Sequence, residues 1–444
     1  MNLQKAIRQY WPLLIFLTIT CSSLLSMLLS RGALVLTYFH PDPVDSGMDF
    51  FNCLASASSD SPYKYGSNYP PMCHLILKAL HLIVPVGEPT DAQLAASQFT
   101  SAGFYLRLYQ NAHLVFIVSV IGCTLTIAGC VLHMAAGCRE RDRYLLAGAT
   151  CISGPFLFLL ERGNILIFAL AGVFVFLALS NSKSSICRLA AYVALAFSAS
   201  IKIYPFIFSL LLLRERKVRA FLFVLIVTIC MFVFPFLYFG GLEAARSFFD
   251  SLTRFVSGHS ALGLGLKYSI DNALGILEAI FGFACPPLLS SGLTLIVFTV
   301  GSCLILFSPS RAQAIACAGF LCAAIPSTSY TYSLTFLLPA FIYANIDCIN
   351  LRSSLSSRLI NFCLGLSLAA YSLPLVPFKG NTFTDVKYPL FWGCLIGNVA
   401  LAVMFLSMSI QLLPYIKGRM VAVHHLRQTP RDVGTNALHT RNKG

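Results

Sequence analysis

Three side chains in this chain combine a reactive type with an unusual setting. Asp49 lies in Met48-Asp49-Phe50-Phe51, a carboxylate among aromatics in a polar stretch between apolar ones. A hydroxyl is a poor nucleophile, and a positioned carboxylate can take its proton in the transition state. The same residue suits the N-cap of a helix beginning at Phe50, and on sequence alone both roles stand open. Lys202 lies in Ile201-Lys202-Ile203-Tyr204-Pro205, within apolar surroundings. An ionisable group at a helix break at membrane depth is a functional candidate by default; the plain alternative is an amine that snorkels to headgroups. Arg162 is the third, with Glu161 beside it as a local partner.

These residues need elements to hold them, and composition says which kind. The chain has 444 residues, 57% hydrophobic and only 11% charged. A soluble domain of that length needs more charge on its surface, and apolar stretches long enough to cross about 30 Å of hydrocarbon recur throughout. The expectation is an all-α polytopic membrane protein. Spans are expected near 11–30, 111–134, 144–160, 165–180, 220–240, 286–307, 312–326, 332–348, 359–376 and 389–413. The first follows Lys5 and Arg8 and reads as a retained span rather than a cleaved signal. Residues 189–213 lie between two basic segments and are too few for two complete spans, so they read as a pair of short helices broken near Pro205. Broken helices at that depth line protein cavities. The count comes to about twelve membrane segments, with both termini cytoplasmic.

The net charge of +14 gathers in short clusters between apolar segments, such as Arg139, Arg141 and Arg143. That is the pattern of cytoplasmic loops, not a nucleic-acid-binding stripe. The 16 cysteines fall mostly inside apolar spans without metal-ligand spacing, so no metal site is expected. Cys53 and Cys73 share the first outside loop, and whether they pair is left open. One domain over 1–416 is expected, with a first outside loop at 31–110, a second at 241–285 and a basic cytoplasmic tail at 417–444. Within the first loop, His74, Lys78 and His81 recur at near-helical spacing, which suggests an interfacial helix with one cationic face.

The order of the motifs carries a resemblance. Asp49-Phe50-Phe51, Ser61-Pro62-Tyr63 and Asn68-Tyr69-Pro70-Pro71-Met72 resemble the first outside loop of family 87 glycosyltransferases, polyprenyl-phosphate-mannose-dependent enzymes of the GT-C class. Glu161-Arg162-Gly163-Asn164 is similar to that family's turn between two spans, and Ser200-Ile201-Lys202-Ile203-Tyr204-Pro205 to its Lys-x-Tyr-Pro segment. The resemblance covers roughly residues 49–220. It implies a GT-C-type bundle with interfacial helices, in a bacterial plasma membrane, moving a sugar with inversion from a polyprenyl-phosphate carrier to a glycan or glycolipid acceptor. It implies Asp49 as general base. Lys202, Arg162 and Tyr204 would bind the donor phosphate, where fixed cations stabilise the leaving group's charge. Asn68, Tyr69, Asn164, Tyr330 and Tyr332 would position substrate. No cofactor is implied beyond the lipid-linked donor, and a divalent cation stays open.

One segment departs from the pattern. Where the family has a Pro-Ser-Trp-His-like stretch, this chain has Pro326-Ser327-Thr328-Ser329-Tyr330-Thr331-Tyr332. Neither tyrosine shares histidine's charge near neutral pH, so the sugar is open, with mannose the default. Two other functions fit a many-span chain: a polysaccharide polymerase or ligase, and a transporter of a lipid-linked substrate. Both fit less well, because the longest outside loop comes first and the polar content gathers on one side.

Overall fold

A computed structural model describes residues 3–38, 46–85, 89–95, 102–259, 267–282, 285–350, 354–378 and 390–428. Among them there are only helices and turns, plus two isolated bridges, Lys267 with Tyr330 and Pro377 with Phe391. Helices satisfy their own backbone hydrogen bonds, which hydrocarbon demands. Six are long and apolar enough to cross a membrane: Gln9–Leu29, Gln110–Met134, Val218–Tyr238, Pro287–Phe307, Thr331–Ile349 and Trp392–Leu412. The protein is a multi-pass integral membrane protein.

Thr331–Ile349 is the central span, with 78% of its apolar window buried against 17–39% for the other five. The outer spans turn Leu114, Val118, Ile121 and Leu125, or Leu222, Ile226 and Ile229, outward, as lipid-facing surfaces do.

Several sequence expectations change. The stretch expected as one span over 144–160 is a pair of helices, Glu140–Cys151 and Gly154–Arg162, bent by 48°. Pro155 occupies the first turn of the second helix and cannot continue the first one's hydrogen bonds. Counted as one span, this pair raises the number to seven. Leu166–Leu179, Ser185–Ile201 and Arg311–Ala324 are shorter apolar helices; fourteen residues rise only about 21 Å, so by length and composition six or seven helices qualify as spans and the count of about twelve membrane segments is not confirmed. The last helix, Trp392–Gln428, runs past Lys417, where a polar tail was expected. Residues 429–444 of that tail, and 260–266 and 283–284 of the second loop, lie outside the described residues.

Helix Pro71–Ile83 forms where an interfacial helix was expected, but not with an open cationic face. His74 is fully buried, against the rings of Tyr63 and Phe239. Lys78 donates to Asp60 at 2.9 Å and to the Ser58 carbonyl at 2.8 Å. The break at Lys202 is present. Ser185–Ile201 ends in an extended Lys202, and a 3-10 turn, Tyr204–Ser209, follows with Pro205 near its start.

Candidate active site

Three local structures converge on one cavity of about 620 Å³. The first is the start of helix Met48–Ser58. Gly47, in the left-handed region at φ 74°, is its N-cap, so Asp49 sits inside the first turn and is not the cap. That leaves its carboxylate for other partners. The second is the end of helix Gly154–Arg162, where Gly163 turns left-handed at φ 62° and its N–H bonds back to Leu159 and Leu160, a C-terminal stop that glycine takes without Cβ penalty. This turn throws Arg162 and Asn164 to the same side. The third is the Lys202 break.

The first two meet on Asp49. The Arg162 guanidinium donates to Oδ1 at 3.2 Å, and the Asn164 amide donates to Oδ2 at 2.7 Å. Asn164 Oδ1 in turn accepts the Leu166 N–H at 3.0 Å, which sets which way the amide points. The backbones touch as well: Gly47 N–H donates to the Glu161 carbonyl at 2.7 Å, and Ser46 donates its hydroxyl to the Glu161 carboxylate. Glu161 therefore holds the Asp49 segment, while Arg162 reaches Asp49 itself.

Lys202 lines the same cavity, its ammonium over the Tyr69 ring at 4.5 Å. Burial lowers this amine from its ordinary value, while neighbouring Cys73, Cys53 and Asp49 act the other way. Tyr69 is held from behind, where the Tyr63 hydroxyl donates to its carbonyl at 3.1 Å and His74 Nε2 pairs with Ser67 Oγ at 2.8 Å. Burial pushes the His74 imidazole down to about 3, so this pin is neutral. The remaining wall comes from 326–333: Tyr332 stacks on Phe158 with centroids 6.0 Å apart, and Tyr330 lies 5.9 Å from Tyr332.

Asp49, Asn68, Tyr69, Arg162, Lys202, Tyr204, Tyr330 and Tyr332 all line the cavity. Asn164 does not line it; it stands behind Asp49. Three contributions escaped sequence reasoning. Asn52 shares the cavity face of Asp49's helix, one turn on, a spacing visible in sequence. Phe248, Leu252, Phe255 and Val256 form an apolar wall from helix Leu242–His259. Lys267 is buried behind Tyr330, its ammonium 5.4 Å from that ring; burial brings it to about 8, opposed by Asp271. Among the described residues, no three His, Cys, Asp or Glu side chains converge to hold a metal ion.

An anionic group entering this cavity meets two cations, Arg162 and Lys202, and a hydroxyl meets a carboxylate held at both oxygens. The family model of glycosyltransferase family 87 matches residues 69–328, more than half of the chain. That range contains Tyr69, Arg162, Asn164, Lys202 and Tyr204, with Asp49 and Asn68 before it and Tyr330 and Tyr332 after it. No curated protein and no solved structure matches the chain.

Proposed function

The chain belongs to glycosyltransferase family 87, and on that premise we propose that it moves a sugar, mannose by family default, from a polyprenyl-phosphate carrier to an acceptor hydroxyl, with inversion, at the outer face of the membrane. The observation that carries this reading is that Asp49, Arg162 and Lys202, far apart in sequence, line one cavity.

In the proposed step the acceptor oxygen attacks the anomeric carbon and its proton passes to Asp49. The bond from that carbon to the phosphate oxygen breaks, and the electron pair leaves with the phosphate. Arg162 and Lys202 meet the developing charge, with the Tyr204 hydroxyl as a neutral donor. The pairing of Arg162 with Asp49 gives this scheme an order of events. An ionised carboxylate has about four acceptor sites; Arg162 and Asn164 take one on each oxygen, so the guanidinium competes with an acceptor hydroxyl on the Oδ1 side. A phosphate arriving in the cavity competes for the guanidinium and frees one oxygen of Asp49. The donor would thus prepare the base. Tyr69, Tyr330 and Tyr332 offer ring faces and hydroxyls to the sugar, and Asn68 an amide. The acceptor would lie along the Phe248–Val256 wall.

The test is transfer by purified protein in nanodiscs, offered a panel of radiolabelled polyprenyl-phosphate sugars with membrane extract as acceptor source. Wild type is expected to move label from one donor, and Asp49→Asn none, because the amide is isosteric but cannot take the proton. Transfer by a folded Asp49→Asn protein removes Asp49 as the base.

A further inference from the structure

Behind the cavity, in a place the proposed chemistry does not use, two sulfurs meet. Cys53 and Cys73 lie 3.7 Å apart, each 1% exposed, on the neighbouring helices Met48–Ser58 and Pro71–Ile83. Both stand one turn or a comparable step from a cavity residue: Cys53 follows Asp49 by four positions, and Cys73 follows Tyr69 by four. We propose that this pair is oxidised to a disulfide that staples the helix carrying Asp49 to the helix carrying the Asn68-Tyr69 loop.

The geometry asks for little. A disulfide needs sulfurs about 2 Å apart, so roughly 1.7 Å must close from the 3.7 Å observed. Other buried cysteines have a different use: Cys317 Sγ donates to the Gly301 carbonyl at 3.3 Å and Cys322 Sγ to the Tyr204 carbonyl at 3.4 Å, as small hydrophobes with a weak donor do. The pair also sits in the loop that charge patterning assigns to the outside, where disulfides persist.

The redox balance is simple. The two thiols give up two protons and two electrons to a disulfide oxidant, an oxidised dithiol protein or a small-molecule disulfide. That oxidant leaves as two thiols after passing through a mixed disulfide with Cys53 or Cys73. Timing follows from burial, which pushes the Cys53 thiol well up and leaves little thiolate in the packed state. The bond therefore forms while the two helices are still coming together, and packing afterwards shields it from reductant.

The test uses the full chain in its own membrane. Cells are quenched in acid, thiols are blocked with N-ethylmaleimide under denaturing conditions, and the protein is digested without reductant. The expected result is a peptide joining Cys53 to Cys73 in most molecules, lost on reduction. Recovery of both residues as maleimide adducts in most molecules overturns the staple. A melting series in detergent reads the same bond independently. If it exists, Cys53→Ala, Cys73→Ala and the double variant lose similar amounts in Tm, since removing either end removes the link. Losses that add in the double variant overturn it. Sugar transfer by a protein with both thiols free would end the staple and leave the transferase reading intact.

Discussion

Arg162 and Asp49, 113 positions apart, share a hydrogen bond of 3.2 Å inside the cavity, with their side chains 16% and 20% exposed. Partial burial strengthens such a charge-assisted contact and makes it responsive to any other anion that enters. Arg162→Gln should therefore cost donor handling above all, with donor kcat/KM falling about 10²- to 10³-fold. Steady-state kinetics with the donor varied checks this, and an unchanged donor kcat/KM removes Arg162 from phosphate binding.

Asn164 aims the carboxylate from behind. Asn164→Ala should lower kcat by about 10- to 100-fold through misplacement alone. Asn164→Asp should do worse near neutral pH, because two carboxyls within hydrogen-bonding distance hold on to a shared proton. Its activity should then recover as the pH is raised. A pH–rate profile that falls in parallel with wild type would refute the shared proton.

Lys202 gives the pH dependence its sign. Its ammonium is lowered by burial, so its charge is present at low pH and lost, as pH rises, before an ordinary lysine near about 10.4 would lose it. Donor kcat/KM should decline on that limb, and Lys202→Arg should carry the limb out of range. Lys267, brought to about 8, is the other amine near the cavity. A limb that survives Lys202→Arg and disappears in Lys267→Met belongs to Lys267.

Gly163 permits the backbone contact beneath the site. A Cβ there would stand 3.0 Å from both the Gly47 Cα and its carbonyl oxygen, at φ 62°. Gly163→Ala should cost about 1–2 kcal/mol for the left-handed conformation alone, with more for the clash. The readouts are a lower Tm in detergent and reduced transfer. Unchanged melting would mean that the two turns can part without penalty.

Much of the site was legible because charge is costly among apolar residues and so stands out. Asp49, Arg162 and Lys202 are conspicuous in a chain that is 11% charged, and Pro205 marks the break beside Lys202 because it disfavours helix at the residue before it. What stayed hidden depends on neighbours from elsewhere in the chain. His74 sits on a helical pattern that looks cationic beside Lys78 and His81, but Tyr63 and Phe239 cover it. Phe248, Leu252, Phe255 and Val256 mark one helical face by spacing, yet nothing in the spacing says what that face looks at. The N-cap of the Asp49 helix fell to Gly47, whose left-handed turn also serves the contact with Glu161. The count of about twelve segments is not confirmed, because several apolar runs form helices of 10–17 residues, shorter than the six that qualify as spans by length and composition.

The Gly47–Glu161 hydrogen bond and the Gly163 packing bind the Asp49 and Arg162 turns into one rigid block, while the apolar wall rides on a separate helix, Leu242–His259. Under the proposed function, the reacting groups and the surface offered to the acceptor then sit on separate modules. If the proposed acceptor lies along Phe248, Leu252, Phe255 and Val256, substitutions there would alter acceptor choice while the Asp49 and Arg162 turns keep their contact.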